Sequence, residues 1–212
     1  MALSPAVRRR LEDVLDGARR AGYLGPGPVV GHVDHALGFA AAAVDTPARA
    51  VDLGSGGGVP GLVLALWWPA SRWDLLDANA RRVAFLAEAS RTLGVADRVA
   101  AVHERAEAFG RVPTHRGRYD LVTARSFGPP AVVAECAAPL LRVGGRLVVS
   151  EPPVPDPDRW PATGLAAVGL SAEPVPSAGH DEGPRYQVMV ATGTCPERFP
   201  RRVGIPVKRP LF

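Results

Sequence analysis

Cysteine, lysine and aromatic side chains are scarce in this 212-residue sequence. It has two cysteines, Cys136 and Cys195, far apart and without CxxC spacing. That excludes a disulfide framework and a cysteine-rich zinc site, and it suits a reducing, cytoplasmic setting. His32 and His35 stand three apart, but two histidines fall short of the three or four ligands a zinc site needs, so no metal is expected. No uncharged apolar run reaches 18 residues, so no membrane span is expected. The opening residues, MALSPAVRRRLEDV, hold no uninterrupted apolar stretch of the kind a secretory signal requires. Neither a Ser-His-Asp nor a Cys-His constellation is evident. Lysine occurs once, at Lys208, and every other cation is Arg.

The chain has the length of one domain, or of one with small extensions, and is long enough to bury a sizeable core. Its most informative stretch is VDLGSGGGVPG at 51–61. An apolar run ends at Gly54, a glycine cluster follows, and Pro60 then opens another apolar run. This predicts a strand, a glycine turn and a helix whose free N–H groups face the turn. A dinucleotide fingerprint needs its third glycine at position 59, which is Val59. A phosphate-binding Walker loop needs Gly-Lys-Ser/Thr, and no Lys is present. Asp52, Gly54, Gly56 and Gly58 instead form acid-x-Gly-x-Gly-x-Gly. This resembles motif I of class I S-adenosylmethionine-dependent methyltransferases. Asp77, which closes the next apolar run, is well placed for two ribose hydroxyls.

Around this loop the chain alternates strand and helix, the pattern of a doubly wound parallel sheet. Helices are expected at 5–22, 33–44, 60–68, 80–93 and 130–141. Strands are expected at 49–53, 73–77, 98–103, 119–124 and 146–150. GPGPVVG (25–31) reads as a break and Gly144-Gly145 as a turn. Prolines crowd 151–161, so that stretch should be irregular. One or two helical turns fit 162–170. Segments 172–176 and 186–192 are consistent with a closing antiparallel pair, making an α/β fold with a seven-stranded sheet and helices on both faces. Between Pro196 and Phe212 five cations stand against Glu197, which accounts for the whole net charge of +4. Such a tail reads either as a phosphate-binding surface or as a solvated, partly disordered segment.

Three further segments narrow the family. They are DANARRVAFLAEAS (77–90), HERAEAF (103–109) and ARSFGPPAV (124–132). Together with the loop and the tail RFPRRVGIPVKRPL, they resemble the RsmG (GidB) family, whose members methylate guanine N7 in 16S rRNA. The resemblance covers roughly 32–150 plus the tail. It implies a Rossmann-like class I methyltransferase domain at 47–195, preceded by a helical cap at 1–46 and followed by the basic tail at 196–212. It implies S-adenosyl-L-methionine as cofactor and 16S rRNA or the small ribosomal subunit as partner, with the enzyme a monomer. Carried over by position, Gly54 and Val59 would contact the cofactor in the loop, and Ala106 and Glu107 would lie beside the adenine. Arg125 would stand at the mouth of the site, as the catalytic residue and a cofactor contact. Asp52, Ser55, Gly56 and Asp77 complete the expected cofactor set. Arg81, Arg82, Arg105, Arg201 and Arg202 would meet RNA phosphate, although Arg81 and Arg82 equally suit a solvated helix face. Phe127 suits either stacking on an RNA base or core packing.

The chain departs from the family in three places. Glu151-Pro152 replaces the usual Lys-Gly, the amino-terminal region is short, and 151–185 is rich in proline. These departures keep open a same-fold methyltransferase acting on a small molecule. A non-catalytic binding protein is a third reading, opposed by the intact acid-glycine set.

Overall fold

The computed structural model describes residues 3–173 and 183–212. Seven strands form one sheet: β1 (Arg49–Leu53), β2 (Arg72–Asp77), β3 (Val99–His103), β4 (Tyr119–Ala124), β5 (Leu141–Glu151), β6 (Leu170–Glu173) and β7 (Arg185–Ala191). Their spatial order is β3-β2-β1-β4-β5-β7-β6. The first five strands run parallel, and β7 lies antiparallel to both β5 and β6. This is the expected seven-stranded α/β fold with its closing antiparallel pair.

The helices follow from local signals. Helix α1 (Pro5–Arg20) starts at Ser4, whose hydroxyl accepts from the Val7 amide, and it buries Leu11, Leu15 and Ala18. Helix α4 (Ala80–Thr92) is capped by Asn79, whose side chain accepts from the amides of Arg81 and Arg82. Such a cap satisfies amides that the helix itself leaves free. Helices α2 (Val29–Ala43) and α3 (Gly61–Trp67) cover the same face of the sheet as α1 and α4, around Phe39, Leu62, Leu64, Trp73 and Leu86. The other face packs on α6 (Pro130–Ala137), α7 (Ala162–Ala167) and the tail, through Val51, Leu53, Tyr119, Val122, Leu140 and Leu147. With both faces covered, the central parallel strands are largely buried, and their charged residues stand mostly near the strand ends.

Three expectations need correction. Helix α2 begins at Val29, so the last residues of GPGPVVG lie in its first turn, with the Pro28 carbonyl accepting from the His32 amide. Helix α6 ends at Ala137 and does not reach 141, because Pro139 has no amide to continue the ladder. Gly144-Gly145 is not a turn between helix and strand but lies inside β5. Tyr119 pairs with Leu141 whereas Leu121 pairs with Arg146, so β5 bulges outward between them. Gly144 takes φ +78° there, and a Cβ on Gly145 would sit 2.8 Å from the Tyr119 carbonyl. Glycine is what permits such a bulge. The strand expected at 172–176 is β6 at Leu170–Glu173, and its last three expected residues lie outside the described set.

The tail is packed rather than loose, although Arg202, Val203, Val207, Lys208 and Arg209 stay exposed. Phe199 is buried, Leu211 and Phe212 pack on the core, and α8 (Ile205–Lys208) closes the segment. The Arg116 guanidinium donates to the carbonyls of Gly110 (3.0 Å), Phe199 (2.6 Å) and Cys195 (3.2 Å), and Arg111 donates to that of Pro200 (2.7 Å).

Candidate active site

Parallel register carries the ends of β1, β2, β3 and β4 to one rim: Asp52 pairs with Leu75 and Thr123, and Asp77 with His103. Open α/β sheets bind ligands at this carboxyl rim. The glycine loop leaves β1 through Gly54, at φ +68°, where a Cβ would lie 2.8 Å from the Phe127 ring. Below the loop, buried Asp52 accepts from the Thr123 hydroxyl at 2.8 Å and from the Gly61 amide at 3.1 Å. Ser55 donates its hydroxyl to the Asp52 carbonyl. Asp52 and Ser55 therefore shape the loop and hold the start of α3. Val59 is buried in the core beneath the same loop.

Burial pushes the Asp52 carboxyl up to about 6, against the opposing pull of Thr123, Ser55 and Gly61. Because the folded value exceeds the unfolded one, the folded chain gains the proton first as the pH falls from 6 towards 4. Asp52 thus adds relative stability on acidification through that window and withdraws it as the pH rises. The melting temperature of the wild type is expected to rise relative to that of Asp52→Asn as the pH falls from 6 to 4. A constant difference would show that Asp52 does not titrate there.

Asp77 is buried at the end of β2 with both oxygens on backbone amides, Gly56 at 2.9 Å and Asn79 at 2.8 Å. An ionised carboxylate has about four acceptor sites, so about two remain free for hydroxyl donors. It borders a cavity of about 130 Å³ lined by Gly54, Ala78, Arg105, Ala106, Glu107 and Phe127, among others. Phe127 both packs against the core and faces this cavity. Val132, Cys136 and Val207 complete the lining; sequence reasoning missed them, because nothing local in α6 or the tail indicates the contact. Glu107 spends Oε1 on the Gly204 amide, 2.9 Å away in the tail.

Across the rim, Arg125 follows β4 and donates Nη2–H to His32 Nδ1 at 2.8 Å. A guanidinium only donates, so Nδ1 is the acceptor and His32 carries its proton on Nε2, which faces the Gly25 carbonyl at 3.2 Å. Burial, then Arg125, lowers the His32 pKa and keeps the ring neutral. Arg125 Nη1 is buried without a hydrogen-bond partner, and among the described residues Arg125 forms no ion pair. A buried guanidinium with an idle donor is fitted to an anion or a lone pair supplied from outside. His35 and Tyr186 border the same region. The Tyr186 hydroxyl donates to the His35 carbonyl at 2.6 Å, and burial and Arg125 bring His35 down to about 4. Sequence spacing pointed to the histidines but carried no sign of Tyr186.

The expected phosphate contacts divide. Arg81, Arg105 and Arg202 are exposed, whereas Arg82 is half-buried and lies 3.7 Å from Asp77 as an ion pair. Arg201 corrects the expectation that it meets RNA. Its Nε and Nη2 donate to the buried Glu135 carboxylate at 2.9 and 2.6 Å, and its amide does so at 2.7 Å, so its charge is already matched inside the protein. Glu151 is also matched: Arg159 lies 2.9 Å away as an ion pair, and the Trp160 indole donates at 3.0 Å. Among the described residues no cluster of three or more His, Cys, Asp or Glu could hold a metal, and no helix is long and apolar enough to cross a membrane.

Residues 32–151 match the family model GidB, described as rRNA small subunit methyltransferase G. The chain is 35% identical over 210 residues to a ribosomal RNA small subunit methyltransferase G of Rubrobacter xylanophilus, covering 93% of this chain and 80% of that one. It is 37% identical to the protein of that name from Roseiflexus castenholzii, covering 79% and 73%. Among solved structures, an O-methyltransferase from Bacillus cereus in complex with SAH superposes with a TM-score of 0.59 at 17% identity, over 85% of this chain and 89% of that one. That last likeness concerns the fold.

Proposed function

The chain belongs to the GidB family, rRNA small subunit methyltransferase G, and is a methyltransferase dependent on S-adenosyl-L-methionine; from this premise we propose that it methylates guanine N7 in 16S rRNA. The residues present fit the cofactor. Asp77 keeps acceptor sites free for ribose hydroxyls, and the cavity beside Ala106 and Glu107 suits the adenine. When bound, the cofactor supplies a methyl group on a sulfonium, already activated for in-line displacement.

The protein's task is then to position and to exclude water. Guanine N7 offers a lone pair and carries no proton, so the reaction needs no general base. Arg125, steadied by His32, orients the acceptor or the carboxylate of the cofactor. Exposed Arg81, Arg105 and Arg202, with half-buried Arg82 beside them in sequence, hold phosphate. The observation that carries this reading is the buried, unpartnered Nη1 of Arg125 at the end of a central strand. The pairing of Glu151 with Arg159 and Trp160 supports an RNA acceptor, since the acid that replaces the usual Lys is not left as a free negative charge.

The test is transfer of labelled methyl to 16S rRNA and to small subunits from a strain lacking its own N7 enzyme. Label is expected in one guanine. Arg125→Ala should lower the rate about 100-fold, the order of one lost charged contact in a dry site. Affinity for RNA should fall steeply between 50 and 200 mM salt, as it does when several phosphates are contacted. Cofactor binding without label on either RNA would favour a small-molecule acceptor instead.

A further inference from the structure

We infer that the tail, held by Glu107 and Glu135, is a wall of the cofactor site, with Val207 its contact. The inference rests on the methyltransferase reading above. Three observations carry it. First, Val207 lines the same cavity as Asp77, Ala106 and Glu107, although it lies 100 residues further along the chain than Glu107. Second, two of the residues that latch the tail are a cavity residue and the neighbour of one. Glu107 itself takes the Gly204 amide, and Glu135, next to Cys136, takes the amide and guanidinium of Arg201. Tail and cavity are therefore built on the same two short helical segments, α5 (Ala106–Phe109) and α6. Third, Val207 is 64% exposed, an apolar side chain left in water at a cavity rim. A flat apolar group filling the cavity would cover it and gain from the burial.

Glu107 acquires a different role from the one its position suggested. Its carboxylate works as a positioning group that sets the height of the wall, while its amide N–H and that of Ala106, both in the first turn of α5, remain free to face the adenine. The family model ends at residue 151, so this wall lies outside the matched segment.

Two measurements on the full chain test this. The first is calorimetric binding of S-adenosyl-L-methionine to the wild type, Val207→Asp and Val203→Asp. Val203, 50% exposed, is another accessible valine of the same segment and does not line the cavity. Val207→Asp is expected to weaken binding about tenfold, equivalent to about 1.4 kcal/mol. Val203→Asp should bind within twofold of the wild type, and both variants should retain the wild-type melting temperature without ligand. The second is limited trypsin digestion after Arg198, Arg202 and Lys208, followed by mass spectrometry with cleavage in α1 as internal reference. Saturating cofactor should slow the tail cuts about tenfold, because a ligand packed on the tail lowers its open population. Equal binding by Val207→Asp and the wild type, or tail cuts unchanged by cofactor, would overturn the wall while leaving the enzyme assignment intact. Failure of the wild type to bind cofactor would bring down both.

Discussion

Asp77→Ala is expected to weaken S-adenosyl-L-homocysteine binding by about 100-fold to 1,000-fold. The carboxylate has two tasks. Its free acceptor sites take hydroxyl donors, and a hydrogen bond to a charged group contributes about 1.5–3 kcal/mol. Its occupied sites tie the Gly56 amide to the Asn79 amide, which couples the glycine loop to the cap of α4. Alanine removes both tasks and leaves two amides at a buried point without their acceptor. Asp77→Asn keeps one acceptor oxygen and should fall between the two. Calorimetric titration of the three proteins decides the matter. Binding by Asp77→Ala within threefold of the wild type would mean that the ribose does not rest on this acid.

Arg201→Ala should lower stability by about 3 kcal/mol, because removal of one member of an ion pair strands the other. Glu135 is fully buried in α6 and loses all its donors except the residue 201 amide. Arg201 is partly exposed, so water entering the gap relieves some of the cost. For a chain of this size that is a fall in melting temperature of about 6–12 °C. The double variant Glu135→Gln, Arg201→Ala carries no stranded charge, and its glutamine oxygen can still accept from the amide. It should recover half of the loss or more. A fall below 2 °C in the single variant would show that the tail contributes little to the folded state.

The two predictions differ in how far they were legible without coordinates. Asp77 was visible because a strand that ends in an acid, one crossover after a glycine loop, has a local pattern. Its geometric use follows from strand register, which the alternation of strand and helix imposes. Arg201 stood out in the sequence as one cation of a basic tail, and Glu135, the acid amid PAVVAECA, drew no expectation. Their partnership was not visible, because nothing in composition or spacing links positions 66 apart. Arg201 therefore looked like a phosphate contact, as did its neighbour Arg202, which the structure does leave exposed. Glu151 looked like a misplaced charge for the same reason, until Arg159 and Trp160 were found on it.

Gly144-Gly145 shows the limit from the backbone side. Two glycines signal conformational freedom, and a hairpin-like turn and a strand bulge both use it. Only the pairing of Tyr119 with Leu141 and of Leu121 with Arg146 distinguishes them.

By itself the sequence determined the doubly wound sheet, the glycine loop, the acid that closes β2 and the arginine that follows β4. Each depends on hydrophobic periodicity or on a spacing within one strand–helix unit, which a linear chain displays. The tertiary structure decided which cations are free and which are paired, that His32 holds Arg125, and that the tail is a packed wall. Those outcomes depend on which distant side chains meet in a dry interior, where an unmatched charge is costly and a matched one is held, and sequence order does not record such meetings.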